Sequence, residues 1–127
     1  MSLPFTPGQG LIVVPVKLWG PGGTLIVRLV LDTGATTTFV RQSRLERIGY
    51  TPDDSTRRRP VAMGGGIVFA PVVTLERLVA LGQERAGFAV LGHTFPPDSG
   101  VDGVLGLDFL RGQRLLINFR LGLVLLD

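Results

Sequence analysis

The chain has no cysteine among its 127 residues. Disulfides, thiolate nucleophiles and thiolate metal sites are therefore excluded. Histidine is nearly as scarce. His93 is the only one, in the turn-like stretch Gly92-His93-Thr94. A lone His is more often a surface residue than a ligand or base, and it is assigned no role. Long apolar runs are also missing. Hydrophobic residues make up 45% of the chain, yet no run reaches the ~18 residues that a membrane span needs. Pro15, Gly20, Pro21 and Arg28 interrupt the apolar segments, so no membrane insertion is expected. Residues 1–10 lack a basic stretch followed by an apolar block. No signal peptide is expected there, which leaves the cytoplasm as the default location. There is no internal repeat and no low-complexity linker.

A length of 127 residues suits one domain. A chain of this size can bury a core without staples. The formal charge is +3, partly from Arg57-Arg58-Arg59 inside the polar stretch 51–60. An anionic partner is one reading of that run. A solvated loop is the other, and it is preferred because neither aromatic interleaving nor a nucleic-acid motif accompanies the arginines. No nucleic-acid partner is expected.

Gly and Pro, 18 and 9 in number, punctuate short apolar runs. That spacing predicts many short strands and an all-β sandwich or barrel. Residues 11–18 and 25–31 read as a hairpin around Trp19-Gly20-Pro21-Gly22-Gly23. The second strand, apolar on both faces apart from Arg28, is expected to be deeply buried. Ser43 with Glu46 predicts a capping box for one short helix, with Leu45 and Ile48 on its inner face and Gly49 closing it. Residues 61–62 and 67–73 read as a hairpin with the tip Met63-Gly64-Gly65-Gly66. Further strands are expected at 75–81 and 85–91, a helical turn at 107–111, and a last hairpin of 115–119 with 123–126.

Asp32-Thr33-Gly34-Ala35 follows directly on the apolar strand 25–31. A carboxylate at the end of such a strand is costly unless it is hydrogen-bonded or paired. The N–H of Gly34 can bond that carboxylate, and glycine there permits a positive φ and close backbone approach. The Thr33 hydroxyl can brace the turn. Three residues recur often by chance, and an ordinary Asx-turn is the bland alternative. The context that follows, Thr36-Thr37-Thr38-Phe39-Val40, favours a functional loop.

Leu29-Val30-Leu31-Asp32-Thr33-Gly34-Ala35 resembles the catalytic loop of the retropepsin family, single-domain aspartic proteases of retroviruses and their bacterial and cellular relatives. Val61-Ala62-Met63-Gly64-Gly65-Gly66-Ile67 resembles the family's glycine-tipped flap. Val104-Leu105-Gly106-Leu107-Asp108-Phe109-Leu110 resembles its apolar-apolar-Gly segment, which opens a short helix. The order of the three also agrees, over nearly the whole chain from Leu11 onward. The resemblance implies a small closed β-barrel with a flap hairpin and one or two short helices. It makes 11–127 a protease domain, one subunit of a dimer, behind a tail at 1–10. It implies hydrolysis of peptide bonds in extended polypeptides, with no cofactor and no metal. Asp32, Thr33 and Gly34 become the catalytic residues, and Ala35, Met63, Gly64, Gly65 and Gly66 the substrate-binding ones. Retroviral members often place an Arg after the apolar-apolar-Gly, beside the catalytic loop. Leu107-Asp108 stands here instead, which leaves Arg111 or Arg114 as candidates to buttress the loop.

Asp98-Ser99-Gly100 spells a similar triplet, but Phe95-Pro96-Pro97 precedes it where an apolar strand belongs. A loop is expected, since Asp, Ser, Pro and Gly are ordinary turn residues. Asp102 is expected as a turn residue and Asp108 as part of the helical turn. A second carboxylate then has to come from another copy, which predicts a C2 homodimer. A non-catalytic dimerisation or peptide-binding module of the same fold is the competing reading, because fold alone does not secure function.

Overall fold

The computed structural model describes residues 2–94 and 99–127. Asp98 lies outside the described residues, as does the side chain of Met63. The strands are β1 (Ser2–Pro4), β2 (Val13–Gly20), β3 (Gly23–Leu31), β4 (Phe39–Arg41), β5 (Arg58–Met63), β6 (Gly66–Ala80), β7 (Gln83–His93), β8 (Gly103–Leu105), β9 (Leu115–Asn118) and β10 (Leu123–Leu126). Two short helices, α1 (Gln42–Arg47) and α2 (Leu107–Leu110), complete the described elements. None is long and apolar enough to cross a membrane.

The sheet runs β2-β3-β8-β4-β7-β6, and β2 pairs again with β6. The ring is thereby closed into a six-stranded barrel, and closure leaves no bare edge among these strands. The β5 strand hangs off β6 outside the ring. A separate sheet orders β1-β10-β9. Ser2–Pro4, within the stretch 1–10, is therefore a strand against Leu123–Leu125. The ring of Phe5 also meets Phe119 edge-on at 5.7 Å.

Side chains alternate across each strand, and one face of β2 supplies Val14, Val16 and Leu18 to the core, all fully buried. On β3 only Val27 and Leu29 are fully buried, while Ile26 is 65% exposed. The expectation that this strand is buried on both faces is thus corrected: barrel strands show one face to the core, and nothing covers Ile26. Phe109, Leu45, Leu75, Leu78 and Leu105 fill the centre.

The tip joining β6 to β7 is Leu81-Gly82, both with positive φ (53° and 75°). That is the handedness a two-residue hairpin turn requires. Helix α1 buries Leu45 and Ile48 as expected, and Gly49 takes φ 100° beyond its end. The capping box is not made. Arg41 is the N-cap and no side chain caps the helix, because the helix starts two residues earlier than the Ser43 reading requires. The arginine run is corrected too. Arg58 and Arg59 are strand residues of β5, paired with Pro71 and Ala70, rather than loop.

Candidate active site

Strand β3 delivers Asp32 to its position. It pairs in parallel with β8, Leu31 opposite Leu105, so the chain leaves β3 beside the Gly106 turn. The Asp32 N–H donates to Leu105 O at 3.0 Å, and the Leu107 N–H donates to Ala35 O at 2.8 Å. The loop 32–35 is thus laced at both ends to the segment 105–107. The Gly34 N–H donates to Asp32 Oδ1 at 2.8 Å, as expected from the sequence. Gly34 does not take a positive φ. A Cβ there would stand 3.1 Å from Asp32 Oδ1, a tight approach to which the carboxylate would have to yield by a few tenths of an ångström. Asp32 is half-buried, and Thr33 and Gly34 are exposed. Among the described residues no hydrogen bond is made by the Thr33 hydroxyl, so within one chain it does not brace the turn.

The bracing comes from Thr38 and Asp108. Thr38 is fully buried. Its N–H and hydroxyl donate to the two carboxylate oxygens of Asp108, at 2.9 and 2.7 Å. The same hydroxyl accepts the Gly106 N–H at 3.1 Å. A Cβ on Gly106 would lie 2.8 Å from Ala35 O and 2.9 Å from Thr37 O, so only glycine allows this approach. Neither candidate arginine is involved. Arg114 makes a forked pair with Asp127 at 2.9 and 2.8 Å, and Arg111 is exposed beyond α2.

The hairpin of β5 and β6 closes at Met63 opposite Gly66. Gly64 takes φ 54°, and a Cβ on Gly64, Gly65 or Gly66 would meet nothing within 4 Å. The tip therefore stands in open space and is not brought onto Asp32 within one chain. The arm of the hairpin is brought close: Arg59 donates to the Thr37 hydroxyl at 3.2 Å. Between them lies a cleft of about 320 Å³ whose lining includes Thr36, Thr37, Phe39, Arg59, Val61 and Leu91.

A family model described as "Aspartyl protease" matches residues 14–109, a span that holds Asp32, the hairpin and Asp108. The chain belongs to the aspartyl protease family. Among solved structures it is similar to a retropepsin-like aspartic protease from Rickettsia conorii, with a TM-score of 0.74 and 16% identity. That match covers 99% of this chain and 88% of the other. At that identity the likeness is one of fold, and the fold is the retropepsin-like barrel. No curated protein matches the chain.

Sequence reasoning missed two supports of this aspartyl protease loop. One is the Thr38–Asp108 pair. The other is Asp102, expected as a turn residue. It accepts the Arg28 N–H at 2.9 Å and Arg44 Nε at 3.1 Å, with Arg41 Nε at 3.8 Å. It ties the start of β8 to β3 and α1. The available signal was an Asp directly before the Gly103 of a strand, where Phe39 O leaves no room for a Cβ.

Proposed function

We propose that the chain hydrolyses peptide bonds of extended polypeptides as a homodimer, with Asp32 and its counterpart in a second copy forming the catalytic pair. The observation that carries this is the state of the Asp32 carboxylate. It is half-exposed on a braced loop; Oδ1 is held by Gly34, and Oδ2 has no partner among the described residues. Four other aspartates are committed elsewhere: Asp53 to Ser55, Asp102 to arginines, Asp108 to Thr38 and Asp127 to Arg114. Asp54 is exposed in the stretch 51–57, away from any braced loop.

Two carboxylates brought together cannot both ionise easily, so one keeps a proton and the other does not. The ionised member takes a proton from water as its oxygen attacks the peptide carbonyl carbon. The protonated member gives its proton to the carbonyl oxygen. Collapse of the resulting diol breaks the C–N bond, and a proton moves to the departing nitrogen. The β5–β6 hairpin acts as the flap: its backbone pairs with the substrate as an added strand, and pockets read alternate side chains. Ala35, Met63, Gly64, Gly65 and Gly66 then line the substrate.

Asp32→Asn tests the assignment. The variant should keep its circular dichroism and its dimer mass and lose cleavage of a peptide library. Parent-like cleavage by the variant would mean that another group does the chemistry. Peptide binding by the parent without any cleavage would favour the binding-module reading.

A further inference from the structure

Adjacent residues of a strand face opposite ways, and on β5 this separates two arginines. Arg58 opens on a cavity shared with Glu46 and His93. Arg59 opens on the cleft beside the Asp32 loop, together with Val61. No Asp or Glu lines that cleft. The ion pairs of the described residues use Arg41, Arg44, Arg77 and Arg114, and not Arg59. The single hydrogen bond from Arg59 to Thr37 fixes the guanidinium against the loop. Its remaining N–H donors form the planar fork that suits a carboxylate. Phe39, Val61 and Leu91 supply apolar wall on the same cleft. A bound carboxylate would exchange water on the exposed guanidinium for charge-assisted hydrogen bonds, with its methylenes against this wall.

We propose that this cleft selects polypeptides with an acidic side chain, a glutamate or aspartate seated against Arg59 close to the bond to be cut. The inference rests on the reading of the cleft as a substrate site. It adds a substrate class that the catalytic loop does not specify. The Thr36 and Thr37 hydroxyls border the same space and can donate to the second carboxylate oxygen. A lysine or arginine side chain would face the guanidinium unscreened and be disfavoured.

The test uses peptides that differ only by Glu, Gln or Lys at one position, with that position moved through the segment. Binding is followed by fluorescence anisotropy with the Asp32→Asn protein, and cleavage with the parent. At one position Glu should be favoured over Gln by about tenfold, the scale of one charge-assisted hydrogen bond. The ratio should fall to about one in Arg59→Gln, and in Arg59→Glu the preference should turn to Lys, since a charge reversal exchanges the favoured partner. Arg59 is exposed, so both variants should fold, and melting curves check this. Glu and Gln treated alike at every position, or a Glu preference that survives in Arg59→Gln, would overturn the inference. Cleavage without preference sinks the acid-selective cleft and leaves the hydrolase. Preference in binding without cleavage keeps the cleft and removes the hydrolase. Absence of both binding and cleavage removes both.

Discussion

The Thr38 hydroxyl has two tasks, donating to Asp108 and accepting from the Gly106 N–H. Valine is close in shape and can do neither. Thr38→Val should therefore destabilise the protein by about 1–3 kcal/mol, the usual cost of leaving buried polar groups unpaired. Urea unfolding measures this directly, and an unchanged midpoint would show that the pair does not hold the loop. Asp32 was legible in the sequence because its signal is local: an apolar strand, then a turn triplet. The Thr38–Asp108 support was not, because its members lie 70 residues apart and nothing local in either marks the other. The family resemblance points to an arginine as the buttress. The structure uses a carboxylate because what needs satisfying there is a set of N–H and O–H donors.

Glycines of the β5–β6 hairpin differ in what they tolerate. Gly64 has φ 54°, where a side chain is strained, while Gly65 has neither a positive φ nor a neighbour within 4 Å. Gly65→Val should thus change stability by less than about 0.5 kcal/mol, as exposed substitutions usually do. On the flap reading it should still lower kcat, because a β-branched residue stiffens the tip that must move over substrate. A variant that unfolds yet retains its specific activity would misplace the flap. The β9–β10 hairpin carries a pH prediction. The Arg114 fork holds the Asp127 carboxyl below its ordinary range, chiefly through the hydrogen bond. A depressed folded value stabilises above the unfolded pKa and loses that contribution as pH falls through the folded one. Parent should accordingly exceed Arg114→Ala in stability near neutral pH, and the gap should close in acid. A gap that widens in acid would contradict the pairing. At this scale the hairpins were legible from glycine and apolar spacing. The start of α1 was not, since Ser43 and Glu46 spell a capping box without forming one.

Barrel closure depends on one long-range pairing, Val16 to Trp19 of β2 against Arg77 to Ala80 of β6. The sequence order of loop, hairpin and apolar-apolar-Gly pointed to the fold, but no residue pattern announces which strands meet to close a ring. The same limit hid the fate of Ser2–Pro4, whose partner strand is the last in the chain. Closure places the half-buried Asp32 on the outside of a finished barrel, with exposed Thr33 and Gly34 beside it. On the proposed reading, the active pair is assembled between copies. Activity per chain should fall on dilution as dimers separate, and a ligand of the assembled site should oppose that fall.

The central claim is the shared pair, and subunit mixing tests it most directly. Parent protein is combined with rising amounts of Asp32→Ala protein, given time to exchange, and assayed for peptide cleavage. Heterodimers hold one Asp32 and cannot share a proton between two, so they should be inactive. Activity per parent chain should fall steadily towards zero as the mutant comes into excess. If the second carboxylate instead lay within the same chain, at Asp98, parent chains would stay active at every ratio and Asp98→Ala would be dead. A flat line against the mutant-to-parent ratio would contradict the account.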